Sequence, residues 1–171
     1  RTLLLLWLVV IWFIEITQSN LQISTICDVL EEKAAAFVNG SSKHQYLAVT
    51  NFTWDDLQRL DTESWRKTVP PFRLLFDQDG ETLIVKLVDT SHEVAFWGFD
   101  RVFIEKLATI NVEAYDVPAT GAARRNFTVR LSKEYDASYK PLNTRPGKND
   151  YPSFVVECGA SESLAQLRND A

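Results

Sequence analysis

The spacing of apolar positions changes along the chain, and each change marks a new element. Residues 3–14 form an unbroken run of twelve apolar side chains, closed by Glu15. Further on, Cys27, Leu30, Ala34 and Phe37 recur at helical spacing and put one apolar stripe on a helix. Ser24 or Thr25 can cap this helix, Asp28 falls in its first turn, and Gly40 follows its end near Val38. A second helix is predicted over residues 53–68, with Thr53 as N-cap and Asp55 and Asp56 at the positive end of the helix dipole. Trp54, Leu57, Leu60 and Trp65 line one side of it, and Pro70-Pro71 ends it.

The period then becomes alternating. Residues 72–76 and 82–88 flank Asp77-Gln78-Asp79-Gly80, and Asp-Gly between two β-prone runs predicts a hairpin. Ser91-His92-Glu93 opens an amphipathic helix, with Val94, Phe96, Val102, Phe103, Leu107 and Ile110 available for burial. Strands are predicted over residues 111–117, 127–131 and 153–158, with a small-residue turn at 120–123. The last of these strands is nearly all apolar, which predicts burial on both faces. Ser163 then caps a closing helix, with Gln166 as its capping-box partner. The order is helix, helix, hairpin, helix, three strands, helix: an α/β (α+β) fold.

The length of 171 residues suits one domain with a core of its own. The elements begin near residue 24, so the chain divides into a hydrophobic N-terminal segment, 1–23, and a single domain, 24–171. Twelve apolar residues fall short of the roughly 20 that a spanning helix needs. They match the core of a signal peptide, with Arg1 as the remnant of its basic end and Thr17 and Ser19 before a cleavage point. Three glycosylation sequons, at Asn39, Asn51 and Asn126, fit that reading. The preferred alternative is an appended, spurious extension on an intracellular protein; a buried helix is the third reading. Secretion or membrane attachment through residues 3–14 stays open. Arg1 in first place, the absence of Met and a final helix that runs to Ala171 imply a fragment.

Charge alters the functional picture. The net charge of −5 counts against a dedicated nucleic-acid binder, which needs cations to replace phosphate counterions. The distribution is less uniform. Between residues 124 and 148 stand Arg124, Arg125, Arg130, Lys133, Lys140, Arg145 and Lys148, against only Glu134 and Asp136. Arg124, Arg125, Arg130, Lys133 and Lys140 are therefore the candidates for contact with a nucleic acid; an ordinary solvated basic loop is the plain alternative. Cys27 and Cys158 fit no metal spacing, and Cys158, in an apolar run, is expected to be a buried free thiol. There is no Gly-rich phosphate loop, no Ser/His/Asp signature and no histidine-rich site, with His44 and His92 the sole histidines.

The chemistry concentrates in two segments. Lys133-Glu134-Tyr135-Asp136 places an acid at a strand edge, and Phe154-Val155-Val156-Glu157-Cys158 places another inside an apolar strand. Burying a carboxylate is costly unless it is paired or bound to a cation, so Glu157 is the anomaly. Two such carboxylates on adjacent strands form a hard oxygen site suited to Mg²⁺. Pairing of Glu157 with a nearby Arg or Lys is the other way to satisfy it.

These segments, with the hairpin at Asp79-Gly80, the helix opened by Ser91-His92-Glu93 and the turn Ser161-Glu162-Ser163, resemble the PD-(D/E)XK superfamily. The likeness is to its compact restriction-endonuclease-like family and covers roughly residues 54–171. It implies a core of a helix, a three-stranded antiparallel unit, a second helix and a final strand, the last missing from this chain. It implies Asp136 and Glu157 as metal ligands for Mg²⁺ and as catalytic residues. Glu93 is the candidate for the further acid on the first core helix, with His92 at the same mouth. Tyr135 stands in place of the family's proline. Gly159 stands where the family has its catalytic lysine, and Lys133, Lys140 or Lys148 are the substitutes within reach of the sequence. The expected function is a metal-dependent nuclease-like phosphodiester hydrolase (a Mg²⁺-dependent endonuclease without the usual lysine), active or degenerate. A non-enzymatic interaction module of the same fold, or a secreted or membrane-tethered glycoprotein, are the alternatives.

Overall fold

The structure is a computed structural model that describes residues 14–16, 23–62, 71–121, 124–126 and 130–158. Its largest element is a six-stranded sheet in the order β1-β2-β4-β3-β6-β5. These strands are β1 (Ile14–Ile16), β2 (Tyr46–Thr50), β3 (Phe72–Asp77), β4 (Thr82–Leu87), β5 (Arg124–Asn126) and β6 (Leu131–Glu134). The β1–β2 pairing is parallel and the other four are antiparallel. A separate two-stranded antiparallel sheet pairs β7 (Ala137–Tyr139) with β8 (Phe154–Val156). With the helices α1 (Ile23–Val38), α2 (Trp54–Thr62) and α3 (Thr90–Thr109), the fold is α+β.

The β3–β4 hairpin shows how the alternating pattern builds the core. Phe72, Leu74 and Phe76 of β3 and Leu83, Val85 and Leu87 of β4 share one face and are buried. Leu47 and Val49 of β2 extend that face. It is covered by Ile26, Leu30 and Ala34 of α1 and by Leu57 and Leu60 of α2, with Phe52 between them. Each fully buried side chain of this size stabilises the fold by about 1.5–3 kcal/mol. In the turn, Asp77 Oδ1 accepts from the Asp79 N–H at 3.1 Å, and Glu81 takes the left-handed conformation at φ 44°. A Cβ at Gly80 would lie 2.9 Å from Asp77 Oδ2, so a larger residue there would make that carboxylate shift.

Alternation sends the remaining positions of the hairpin to the opposite face. Arg73 and Lys86 lie directly across from each other in the β3–β4 register, and Lys133 of β6 pairs with Leu75 on the same face. Cations opposed on neighbouring strands repel each other, so this face needs anions against it. The β7–β8 unit supplies them.

Helix α3 reaches that unit through aromatic packing. Phe103 lies 4.7 Å from Tyr139 and 5.6 Å from Phe154 between ring centroids, and Phe99 stacks on Phe103 at 5.7 Å. Tyr139 is fully buried and donates its hydroxyl to Asp100 Oδ1 at 2.8 Å. Burial, followed by that carboxylate, pushes the Tyr139 phenol well above its usual range.

Several expectations from the sequence change. Residues 111–117 are not a strand but a loop with a 3-10 turn at Ala114–Asp116. The backbone beyond it does run along β7: Ala119 bridges to Tyr139, and Thr120 N–H donates to Ser138 O at 2.6 Å. β8 is half-buried rather than covered on both faces, because it lies in a two-stranded sheet instead of the middle of a large one. Of the α3 residues expected inside, Val94, Val102 and Ile110 are exposed. The narrow β7–β8 surface accepts only the stripe of Phe96, Phe99, Phe103 and Leu107, which are half-buried. Strands β1, β2, β5 and β7 were not expected; of the strand expected over residues 127–131, residues 127–129 lie outside the described residues and Leu131 opens β6. α3 starts at Thr90 and is capped by Asp89, two residues before the Ser91-His92-Glu93 that was expected to open it. Neither cysteine forms a disulfide among the described residues, and both are half-buried. The closing helix at Ser163, Gly159, Trp65 and most of residues 3–14 lie outside the described residues. Among the described residues, no helix is long and apolar enough to cross a membrane.

Candidate functional site

The site grows from the end of the β7–β8 ladder. Its register pairs Ala137 with Val156, and one step further Asp136 and Glu157 oppose each other. Cys158 N–H donates to Asp136 Oδ2 at 2.8 Å and fixes that carboxylate across the strands. Both side chains are nearly closed off from solvent, at 4% and 5% exposure.

The cationic face of the large sheet closes over them. Lys86 Nζ stands 3.2 Å from Asp136 Oδ2 and 3.8 Å from Glu157 Oε2, so one ammonium touches both acids. The same ammonium donates to Cys158 O at 3.1 Å. Arg73 Nε lies 3.5 Å from Asp136 Oδ1, and Lys133 Nζ lies 3.1 Å from Glu157 Oε1. These last two approaches have ion-pair distances without hydrogen-bond alignment. Among the described residues, Asp136 Oδ1, Glu157 Oε1 and Arg73 Nε are buried polar atoms without an aligned hydrogen bond. Such atoms are rare in native proteins, and here each faces an opposite charge instead, Arg73 with Asp136 and Lys133 with Glu157.

The electrostatics follow from burial. Glu157 is pushed up to about 7, first by desolvation and then by the neighbouring charge of Asp136, against the pull of Lys133 and Lys86. Desolvation, followed by the Asp136 charge, also raises the Cys158 thiol, which makes it a poor nucleophile.

Glu93 belongs to the same neighbourhood at one remove. Its Oε1 lies 3.8 Å from Arg73 Nη2, so the guanidinium stands between Glu93 and Asp136. Both acids line a cleft of about 310 Å³, together with Arg73, His92, Phe96 and Trp97. His92 reaches the cleft wall as expected, but both ring nitrogens are engaged inside the protein. Nδ1 is 2.9 Å from Asp89 Oδ1 and Nε2 is 2.9 Å from Gln45 Nε2. Gln45 in turn donates to Leu87 O at 3.0 Å, so His92 pins the start of α3 to the large sheet.

The structure brings Asp136, Glu157 and Lys133 together and places Glu93 beside them. It leaves Lys140 elsewhere, buried, with Nζ donating to Gly147 O at 2.6 Å; Lys148 is exposed. Part of the basic stretch, Arg124, Lys133 and Lys140, is turned inward, while Arg130 stays at the surface. Arg124 pairs with Glu134 at 3.0 Å and with Asp61, and Arg130 pairs with Asp79 at 3.3 Å. The Arg125 side chain lies outside the described residues.

Arg73 and Lys86 are site residues that the sequence reading missed. The signal was present: Lys86 interrupts Leu83-Ile84-Val85 and Leu87-Val88 just as Glu157 interrupts its own apolar run. Two buried opposite charges in separate apolar strands are candidates for each other. Among the described residues, no group of three or more His, Cys, Asp and Glu side chains is placed to hold a metal ion; the acid pair is a set of two. No family model, curated protein or solved structure matches this chain.

Proposed function

We propose that the chain is a metal-dependent phosphodiesterase built on a restriction-endonuclease-like core. The observation that carries this reading is the buried pair Asp136 and Glu157, brought together at the end of the β7–β8 ladder, each with an oxygen that has no aligned hydrogen bond among the described residues. The order of elements supports it. After α3, the backbone around Ala119, β7 and β8 form three antiparallel extended segments with the acids at one end, although β5 and β6 of the large sheet come between the first segment and β7.

The donor set suits a hard divalent cation such as Mg²⁺, with Asp136 and Glu157 as ligands and Glu93 as the nearest further acid. When bound, such an ion polarises a phosphoryl oxygen and makes a bound water acidic enough to attack phosphorus. The rest is the work of the protein. The Cys158 N–H and the β7–β8 register hold the two carboxylates in place. Lys86, in contact with both, supplies the ammonium that Gly159 cannot, and stabilises negative charge building up on the phosphate oxygens. Arg73, beside Asp136 and facing the cleft, offers a guanidinium to a neighbouring phosphate.

A second reading has its own observation. Arg73, Lys86 and Lys133 compensate two carboxylates without any metal, and a charge cluster of this kind can serve purely to join two sheets. Cleavage separates the two. The full chain is incubated with labelled oligonucleotides in Mg²⁺ and in EDTA, beside Asp136→Asn, with folding checked by circular dichroism. Mg²⁺-dependent cleavage that falls by about 100-fold or more in Asp136→Asn is expected; loss of an outer-shell partner alone typically costs 10–100-fold. Folded wild type without Mg²⁺-dependent cleavage leaves the structural reading.

A further inference from the structure

The cleft beside Asp136 has features that the acid pair does not use. Its volume of about 310 Å³ is at the lower end of what small-molecule sites enclose, room for a single nucleotide unit rather than a duplex. It is lined by Phe96 and Trp97 of α3, by Arg73, and by the carboxylates Glu93, Asp100 and Asp136, with Asp100 already accepting from the Tyr139 hydroxyl. Trp97 is 62% exposed, although an indole gains more than almost any side chain by leaving water. Arg73 Nε and Asp136 Oδ1, 3.5 Å apart and buried, belong to residues lining the same cleft, and neither makes an aligned hydrogen bond among the described residues. The half-exposed Glu93 carboxylate stands at the rim as an acceptor.

The charge distribution narrows the choice of ligand. A duplex binder takes its affinity mainly from cations that track the phosphates. This chain carries a net charge of −5; Arg124, Lys133 and Lys140 make internal contacts, and Arg130 pairs with Asp79 at the surface. A single strand adds to its charged contacts an aromatic platform, because every base has a face that can stack.

We propose that this cleft receives one unpaired base of a single-stranded nucleic acid, stacked on Trp97, with its amino edge toward Glu93 and its phosphate beside Arg73. This rests on the phosphodiesterase reading and names its substrate class: single strands, or bases displaced from a duplex. The stacked base sets which phosphate comes to lie against Asp136.

Fluorescence anisotropy with a labelled single strand and the matching duplex tests this in EDTA, where no cleavage occurs, on the wild type, Trp97→Ala and Trp97→Phe. Because Trp97 is exposed, neither variant should disturb folding, and circular dichroism checks this. The single strand should bind at least about tenfold more tightly than the duplex, and Trp97→Ala should weaken it by about tenfold while Trp97→Phe keeps most of the affinity. Equal binding of duplex and single strand, or no effect of Trp97→Ala, overturns the proposal. Trp97-dependent binding by a wild type that never cleaves in Mg²⁺ sinks the phosphodiesterase reading and leaves the base site standing.

Discussion

Glu157 and Lys86 are each expensive where they stand, and each is the reason the other is tolerated. A lone charge in either apolar strand would face a large desolvation penalty, and the shared contacts at 3.2 and 3.8 Å with Asp136 and Glu157 offset it. The balance is incomplete for Glu157, which holds its proton up to about pH 7, mainly through burial, against 4.5 for the unperturbed group. In this range the folded chain binds more protons than the unfolded one, so ionisation of Glu157 works against folding as pH rises. In metal-free buffer, the unfolding free energy of the wild type relative to Glu157→Gln should therefore fall between about pH 5 and 8. Urea denaturation at several pH values measures it; a difference that stays flat or rises with pH contradicts the assigned shift. Glu157 was legible in the sequence because an acid inside Phe154-Val155-Val156 has no local explanation. Lys86 carried the same signal, but which anion it meets depends on how β4 approaches β8, 70 residues along the chain, and local spacing holds no information about that.

Among the elements, those with their own punctuation were readable. The β3–β4 hairpin occupies Phe72–Asp77 and Thr82–Leu87, as Asp79-Gly80 between alternating runs implied. α1 ends at Val38, with Gly40 in the left-handed conformation at φ 77°. Elements that depend on tertiary pairing were not: β2 is short and finds its antiparallel partner in β4, far along the chain, and residues 111–117 carry strand-like residues but form no ladder among the described residues. The start of α3 falls between these cases. Asp89 accepts from His92 N–H at 3.1 Å and from Ser91 Oγ at 2.6 Å. Burial works against its charge, but the hydrogen bonds from Ser91 and His92 prevail and hold the carboxylate at about 2. Asp89→Ala removes the cap and one anchor of the His92 ring, and should lower stability by about 1–2 kcal/mol. Because the Asp89 pKa is depressed below 3.8, that contribution is present above this value and fades as pH falls toward 2. Thermal melts at neutral pH check it; an unchanged midpoint would show that α3 is held by its aromatic stripe alone.

At the scale of the whole molecule, two sheets meet. The large sheet keeps one face for its helices and core and turns the other, cationic face toward β7–β8. The contact is made by the ion cluster, with α3 and its ring stack alongside. The α+β class and the candidate acids could be foreseen from pattern. The counter-charges and the cleft could not, because they exist only once Arg73, Glu93 and Asp136 come together from different elements. The basic stretch also illustrates the limit of composition: Arg124, Arg130 and Lys133 look like a phosphate-binding surface in sequence and make ion pairs in the fold.

The claim that Asp136 and Glu157 form a cation site is open to direct measurement by calorimetric titration of Mg²⁺ into the full chain, with Asp136→Asn alongside. One saturable site in the wild type, lost in Asp136→Asn with the fold intact, is the predicted result. No saturable binding by the folded wild type, or the same isotherm from Asp136→Asn, would mean that Lys86, Arg73 and Lys133 are the only cations this acid pair is built to hold.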